Sequence, residues 1–198
     1  MPHPPSFDLD GARAAIAQLI RALGLDPSAE PELAQTPDRV ARLYQEIFSG
    51  LDPGNEPELV TFPRPRERGE ALVMVRDLPF HSLCIHHFVP FFGRAHVAYL
   101  PGERLIGISG APRVIEHCAR RPQLQERLGA QVADHLEKVL EPRGLAVILE
   151  ARHLCMEMRG IRKSGWVHTR VLRGALADPA WAGSLPAPLG DRGDPHRD

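Results

Sequence analysis

The chain has 198 residues, and its 24 lysine and arginine residues nearly balance 25 aspartate and glutamate residues, giving a formal net charge of −1. This length suits one domain with appendages. The near-equal numbers of basic and acidic residues exclude an overall positive charge that would attract nucleic acid. Any anion-binding site must therefore come from locally clustered arginines. Three cysteines without a preceding secretory signal argue against a disulfide framework. Because no run approaches about 18 apolar residues, we expect a soluble cytoplasmic protein.

Residues 1–70 are predicted to form an N-terminal helical extension and a linker. Asp10 is expected to cap a first helix whose apolar stripe includes Ile16 and Leu19. Thr36 followed by Pro37 is typical of a second helix start, because threonine caps well and proline has no N–H to leave unpaired. A stretch rich in proline and charge then predicts the linker.

From residue 71 the hydrophobic period changes to that of strands. Residues 71–78 and 94–100 read as strands, and Ser109 is expected to cap a helix. Residues 123–140 carry an apolar side chain at every fourth position, which predicts a further helix. The pattern indicates an α+β domain over residues 71–174, with a flexible tail over residues 175–198.

Residues 145–158 are predicted to form one long strand. Because side chains alternate along a strand, four polar residues should face the same side. The four residues are His153, Cys155, Glu157 and Arg159. A metal ligand, a candidate acid–base residue (Glu157) and an anion-binding arginine (Arg159) would then share one surface.

Two cysteine–histidine pairs give the strongest functional signal. Cys84 and His87 form a Cys-x-x-His pair, which alone is weak because a buried cysteine often acts as a small hydrophobe. A second pair, His153 and Cys155, strengthens it. We predict that Cys84, His87 and Cys155 bind Zn²⁺, and three protein ligands leave a position open for water, as in catalytic sites. His86 and His153 remain as proton carriers near neutral pH. The other internal cysteine and histidines are interpreted as structural: Cys118, His81, His96, His117 and His135.

Several segments, in order along the chain, resemble the GTP cyclohydrolase I family. The resemblance runs from about residue 10 to residue 174 and includes an N-terminal helix signature over residues 36–51. Its most specific segments are Cys84-Ile85-His86-His87-Phe88-Val89-Pro90, Arg121-Pro122-Gln123-Leu124-Gln125-Glu126-Arg127-Leu128 and His153-Leu154-Cys155-Met156-Glu157-Met158-Arg159-Gly160.

The resemblance implies a tunnelling fold (T-fold), an antiparallel sheet with two helices on one face. Copies of the sheet assemble into an oligomeric β-barrel within a homodecamer. It also implies zinc on Cys84, His87 and Cys155, in agreement with the residues chosen above, and proton transfer by His86 and His153. Gln125 and Glu126 fall where the family binds guanine. Positions on or near the family's triphosphate site, which neighbouring subunits share, are Ser109, Arg113, Arg159, Arg39 and Arg42.

The implied reaction is hydrolysis of GTP. Zinc lowers the pKa of bound water to about 7, and the nucleophile adds to C8 of guanine. The imidazole ring opens to a formamide, a second hydrolysis releases formate, and ribose rearrangement with ring closure gives 7,8-dihydroneopterin triphosphate. This product belongs to tetrahydrofolate and pterin biosynthesis.

Three departures from the family pattern bear on the substrate. Ile85 stands where the family usually has glutamate, and Gly110 stands where it has a phosphate-binding lysine. The family's Ser/Thr-rich stretch is reduced over residues 164–170. Losing a charge from a desolvated ion pair can cost about 2–5 kcal/mol. A divergent paralogue is therefore an alternative, one that acts on another guanine nucleotide or stops at a formamide intermediate.

Two alternatives belong to other classes. One is a non-catalytic regulator that binds a nucleotide or pterin, although such a module has little need of an open zinc position. The other is a T-fold nitrile reductase related to queuosine synthesis, which uses a cysteine nucleophile and a nicotinamide. Metal analysis separates the reductase from the zinc hydrolase.

Overall fold

Two helices form the first of two units, which comprise residues 1–56 and 57–198. The computed structural model describes residues 7–26, 28–65 and 71–186. Helix α1 (Leu9–Ala22) is capped by Asp8, whose side chain accepts a hydrogen bond from the backbone N–H of Gly11 at 2.8 Å. The cap predicted at Asp10 was therefore wrong by two residues.

Helix α2 (Thr36–Ile47) packs against α1. Arg13 joins the two helices, because its guanidinium contacts Asp38 at 2.8 Å and Asp10 at 2.7 Å. Pro37 lies in the first turn of α2, as predicted. Thr36 is the first helical residue and not the cap, and the cap position, Gln35, makes no side-chain capping bond.

A five-stranded mixed sheet with the order β5-β2-β3-β6-β7 organises the second unit. Its strands are β2 (Val73–Cys84), β3 (Pro90–Leu100), β5 (Pro122–Gln123), β6 (Gly144–His153) and β7 (Val167–Gly174). Neighbours are antiparallel except β5 and β2, which are parallel and pair Cys84 with Gln123. The purely antiparallel prediction was therefore wrong at this edge. A separate two-stranded sheet joins β1 (Thr61–Pro63) to β4 (Arg104–Ile106), so β1 lies in the second unit and not in a linker.

Helices α3 (Gly110–Ala119) and α4 (Gln125–Leu140) cover one face of the five-stranded sheet. The predicted spacing of one apolar side chain in four gives α4 an apolar side, which packs against the sheet. The residues of β3 and β6 that meet it are alternate ones, because strand side chains alternate between the two faces. The central residues of this core are wholly buried: Leu128, Val132, Leu136, Val97, Leu145, Val147 and Leu149. The prediction of an α+β domain is confirmed.

The C-terminal segment covers part of the opposite face. Residues 175–186 contain two 3₁₀ turns (Ala175–Ala177 and Pro179–Ser184). They bury Leu176 and Leu185 against sheet residues that include Ala98 and Ile148. These residues pack within the second unit, in contrast to the tail predicted from residue 175. Residues 187–198 lie outside the described part of the chain.

Strand β6 ends at His153, and a single helical turn, α5 (Leu154–Glu157), follows it. The Met158 N–H donates to the Leu154 carbonyl at 2.9 Å and closes this turn. The prediction of one strand to residue 158 was wrong, and so was the alternation of side chains inferred from it. Leucine, methionine and glutamate favour helix over strand, which accounts for the change. Across the residues that the structure describes, no helix has both the length and the apolar character to span a bilayer.

Candidate metal centre and active site

Cys84 ends β2 and begins the turn that carries His86 and His87. Its N–H donates to the Val89 carbonyl at 3.0 Å, and its own carbonyl accepts from the Phe88 N–H at 2.9 Å. Phe88 takes the left-handed conformation, with φ of 50°. This tight reversal brings the Nδ1 atoms of His86 and His87 to 3.8 and 3.9 Å from the Cys84 sulfur.

The predicted metal ligands meet at this turn. The ligand atoms of Cys84, His87 and Cys155 all lie within 4.8 Å of one another, and no other such group of three occurs among the described residues. Two sulfurs and one imidazole nitrogen are donors that zinc favours. Three protein ligands leave a fourth position open, which distinguishes catalytic from structural sites. The residues fit a catalytic zinc ion.

The charge balance at the two sulfurs also favours a cation. Burial raises the pKa of the Cys155 thiol, and the neighbouring Cys84 raises it further, while the charge of Arg159 acts in the opposite direction. Two thiolates side by side repel each other unless a positive charge lies between them. A divalent metal supplies that charge and holds coordinating thiols deprotonated.

His153 is held beside this group by two contacts. Its ring stacks on Phe91, with centroids 4.7 Å apart and planes 4° from parallel. Its Nε2 lies 2.7 Å from Oε1 of Gln125. Burial lowers the pKa of His153, while the charges of Glu126 and Glu157 act to raise it. The ring is thus fixed in position and favours its neutral form.

Gln125 and Glu126 begin α4 and have different environments. Gln125 is 2% exposed, and its amide nitrogen donates to the carbonyls of Leu149 at 3.1 Å and Val167 at 2.9 Å. Glu126 is exposed, and its charge acts on the nearby His153. Of the two residues expected to bind guanine, Glu126 presents its side chain to solvent, whereas Gln125 bonds inside the protein.

Glu157, a candidate acid–base residue in the sequence, forms an ion pair with Arg152. The carboxylate accepts from Arg152 Nε at 3.0 Å and from Nη2 at 2.5 Å. The guanidinium holds the pKa of Glu157 below its usual value. Glu157 therefore stays ionised and ties α5 to the end of β6. No sequence pattern reveals this pair, because it depends on the chain leaving the strand at His153.

Comparison with known proteins identifies the family to which the chain belongs. The profile of the family described as GTP cyclohydrolase I matches residues 12–184. The chain belongs to the GTP cyclohydrolase I family. GTP cyclohydrolase 1 of Clostridioides difficile is 49% identical over 160 residues, covering 80% of this chain and 83% of the relative. The Halalkalibacterium halodurans protein of the same name is 45% identical over 177 residues, covering 88% and 93%.

A solved structure, the archaeosine synthase QueF-Like in its apo form, shares 16% identity, with a TM-score of 0.39 over 55% of this chain and 98% of its own. That likeness is too weak to carry an argument. The family resemblance predicted from the sequence is confirmed by the profile and the curated relatives.

Several residues that the GTP cyclohydrolase I resemblance assigns to the triphosphate lie exposed in the second unit. Ser109 occupies the cap position of α3 without a side-chain capping bond, and Arg113 follows one turn later. Arg159 lies exposed just beyond α5, and its charge reaches Cys155. All three side chains are therefore open to an anionic ligand.

Arg39 and Arg42, assigned to the same role, lie on α2 in the first unit. Arg39 donates to the Gln35 side chain at 3.0 Å, and Arg42 donates to Asp38 at 2.8 Å. The Asp38 carboxylate raises the pKa of Arg42. Arg39 thus has its partner at the cap of α2, and Arg42 has its partner on the helix itself.

The two single-residue departures from the GTP cyclohydrolase I pattern have different structural settings. Gly110 is buried, and a Cβ there would lie 2.3 Å from Cδ1 of Ile106. The Ile106 side chain therefore occupies the space that a side chain at position 110 would enter first. Ile85 is 37% exposed, and its N–H donates to the Gln123 carbonyl at 3.0 Å. A side chain at 85 has open space, whereas one at 110 requires the Ile106 side chain to shift.

Proposed function

We propose that this chain catalyses the GTP cyclohydrolase I reaction, in which hydrolysis at C8 of GTP releases formate and forms 7,8-dihydroneopterin triphosphate. The observation that carries the proposal is the convergence of Cys84, His87 and Cys155 beside an anchored His153. A three-ligand metal group next to a neutral imidazole suits hydrolysis better than binding alone.

Zn²⁺ is the proposed cofactor, held by Cys84, His87 and Cys155. When bound, zinc provides water with a pKa of about 7 and so a nucleophile at neutral pH. The protein supplies the rest of the chemistry. His153, whose pKa is lowered by burial, begins the cycle neutral and accepts a proton. His86, with Nδ1 3.8 Å from the Cys84 sulfur, is the second proton carrier, and the two donate to the departing nitrogens and the ribose oxygen.

Two exposed charges of opposite sign act on residues of the site, Glu126 on His153 and Arg159 on Cys155. Glu126 is proposed to bind guanine, because one carboxylate can accept from N1–H and the 2-amino group together. Ser109, Arg113 and Arg159 are proposed to bind the triphosphate. Arg39 and Arg42 complete that site from a neighbouring subunit.

A T-fold homodecamer with shared active sites is the proposed assembly. Large apolar side chains are exposed next to candidate site residues in the sequence, and such exposure is typical of surfaces that bind a partner. They are Ile85 at 37%, Phe88 at 50%, Ile108 at 85%, Met158 at 64% and Ile161 at 69%. Native mass measurement tests the assembly, and a monomer that hydrolyses GTP would contradict shared sites.

One observation favours a second candidate, a paralogue that prefers a guanine nucleotide with fewer phosphates. The packing of Ile106 against Gly110 leaves no room for the family's lysine without a shift. This chain therefore has no positive charge at position 110.

The decisive experiment incubates zinc-loaded protein separately with GTP, GDP and GMP and identifies the products by mass, with formate assayed in parallel. We expect formate and dihydroneopterin triphosphate from GTP. Cys118→Ala is the matched control, because Cys118 is buried outside the metal group. Formate from GDP alone would favour the second candidate, and no product from any nucleotide would refute catalysis.

A further inference from the structure

The orientation of the Gln125 amide is dictated by its partners. Its nitrogen lies within hydrogen-bond distance of two backbone carbonyls, those of Leu149 and Val167, and of the Thr169 hydroxyl at 3.2 Å. Carbonyl oxygens only accept, so the NH₂ group must face them. A flipped amide would bury its oxygen against two other acceptors, at a cost typical of unpaired buried polar groups. Oε1 therefore points at His153.

This orientation decides which His153 nitrogen carries hydrogen. An amide oxygen accepts and never donates, so Nε2, 2.7 Å from Gln125 Oε1, must be the donor. In a neutral imidazole only one nitrogen has a hydrogen. The lone pair consequently lies on Nδ1. The parallel stack on Phe91 holds the ring plane, and the bond from Nε2 to Gln125 selects one of the two ring orientations in that plane.

We propose that Gln125 is a positioning residue that fixes His153 as its Nε2–H tautomer, so that His153 accepts and returns the catalytic proton through Nδ1. The inference rests on the proposed function for the role of His153 in turnover. Nε2–H stays on Gln125 throughout: the neutral ring takes one proton at Nδ1, becomes imidazolium, and releases the same proton from Nδ1. In serine proteases a carboxylate likewise orients a catalytic histidine and sets its tautomer.

This role differs from the guanine contact that the resemblance assigns to Gln125. A residue that binds guanine equally in ground and transition states changes KM when removed, whereas one that orients an acid–base group changes kcat. The Gln125 amide has no N–H left for a ligand, because two carbonyls occupy both donors. Its burial, at 2% exposed, leads to the same conclusion.

The first test reads the tautomer directly, without reference to activity. Nitrogen NMR of ¹⁵N-histidine-labelled full-length protein distinguishes protonated from unprotonated ring nitrogens. It is recorded about two units above the ordinary histidine pKa of about 6.5. Comparison with His153→Asn assigns the signals. We expect protonated Nε2 and bare Nδ1 in the wild type, and a mixture of tautomers in Gln125→Ala. A wild-type ring with hydrogen on Nδ1 would overturn the proposal even if Gln125→Ala fails to fold.

The second test asks whether Gln125 acts through His153. Gln125→Ala should lower kcat by about 10–100-fold, as loss of a histidine's orienting partner typically does. KM should change little. In a His153→Ala background, Gln125→Ala should lower kcat by less than a further factor of about two, because the two residues act as one unit. Equal losses in both backgrounds would mean a structural role and would refute the proposal.

Thr169→Val is the matched control. It removes the hydroxyl contact to the same amide nitrogen but leaves both carbonyl acceptors and Oε1 in place. Its tautomer and kcat should match the wild type. Absence of any GTP turnover in the wild type would refute the proposed function, while the NMR result would still decide the tautomer.

Discussion

The sulfur atoms of Cys84 and Cys155 lie within 4.8 Å of each other, although one ends a strand and the other lies in a helical turn far along the chain. Cys155→Ser should abolish metal binding and turnover while leaving the fold intact, because a hydroxyl is a poor zinc ligand compared with a thiolate. Metal content per subunit by mass spectrometry, together with formate release, measures both effects.

Cys118→Ala provides the comparison, since Cys118 is buried but outside the metal group. It should retain full metal content. Chelation of the wild type should reproduce the loss seen in Cys155→Ser, and readdition of zinc should restore activity. Metal-free protein that still released formate would refute the zinc hypothesis.

The metal group could be predicted from the sequence because its signal lies in residue type and spacing. Cys84 and His87 share one turn, which makes their proximity local. The reason given for Cys155 was nevertheless wrong, since no strand carries it. A helical turn after His153 delivers the thiol instead.

Contacts that depend on tertiary packing left no such signal. The bonds from Gln125 to Leu149 and Val167 join a helix to two strands. The Arg152–Glu157 pair depends on where β6 stops. Turn-like composition after residue 174 suggested a tail, yet two leucines there are enough to bury the segment against the sheet.

The Arg152–Glu157 pair should make a stability contribution that depends on pH. Glu157 is 11% exposed in its side chain, and Arg152 lowers its pKa below the ordinary 4.5. A carboxyl group whose pKa is lowered by folding stabilises the protein above its unfolded pKa. That stabilisation is lost as the pH falls through the folded pKa. Glu157→Gln should therefore cost about 1 kcal/mol at pH 7, with the difference vanishing well below pH 4.5.

Urea denaturation of both proteins at neutral and acid pH measures this difference. Glu116→Gln is the control, because Glu116, which pairs with Arg120, is 52% exposed whereas Glu157 is 11% exposed. A helical surface pair of this kind contributes about 0.3–0.5 kcal/mol. A Glu157→Gln penalty independent of pH would show that charge is not its cause.

Leu176→Ala should destabilise the second unit by about 2–4 kcal/mol, because the residue is 1% exposed against the sheet. Leu172→Ala, at 36% exposed on neighbouring β7, should cost much less. Thermal unfolding of the two variants compares them. Equal effects would mean that residues 175–186 do not pack as described.

Gly110→Lys requires the end of the Ile106 side chain to shift, because the new Cβ would otherwise lie 2.3 Å from its Cδ1. Combining it with Ile106→Ala provides room and restores the positive charge that the family pattern places there. If the missing charge limits triphosphate binding, this double variant should lower KM for GTP by about tenfold, which corresponds to about 1.4 kcal/mol. KM for GMP should not change.

Gly110→Gln with Ile106→Ala is the matched comparison, since it adds a long polar side chain without charge. Steady-state kinetics with GTP, GDP and GMP for both double variants separates charge from packing. A drop in KM confined to the lysine variant, and growing with phosphate number, would show that the charge missing at position 110 limits triphosphate binding. Identical constants for the two variants would remove that explanation, because arginines such as Arg113 and Arg159 would then already supply the charge that binds the triphosphate.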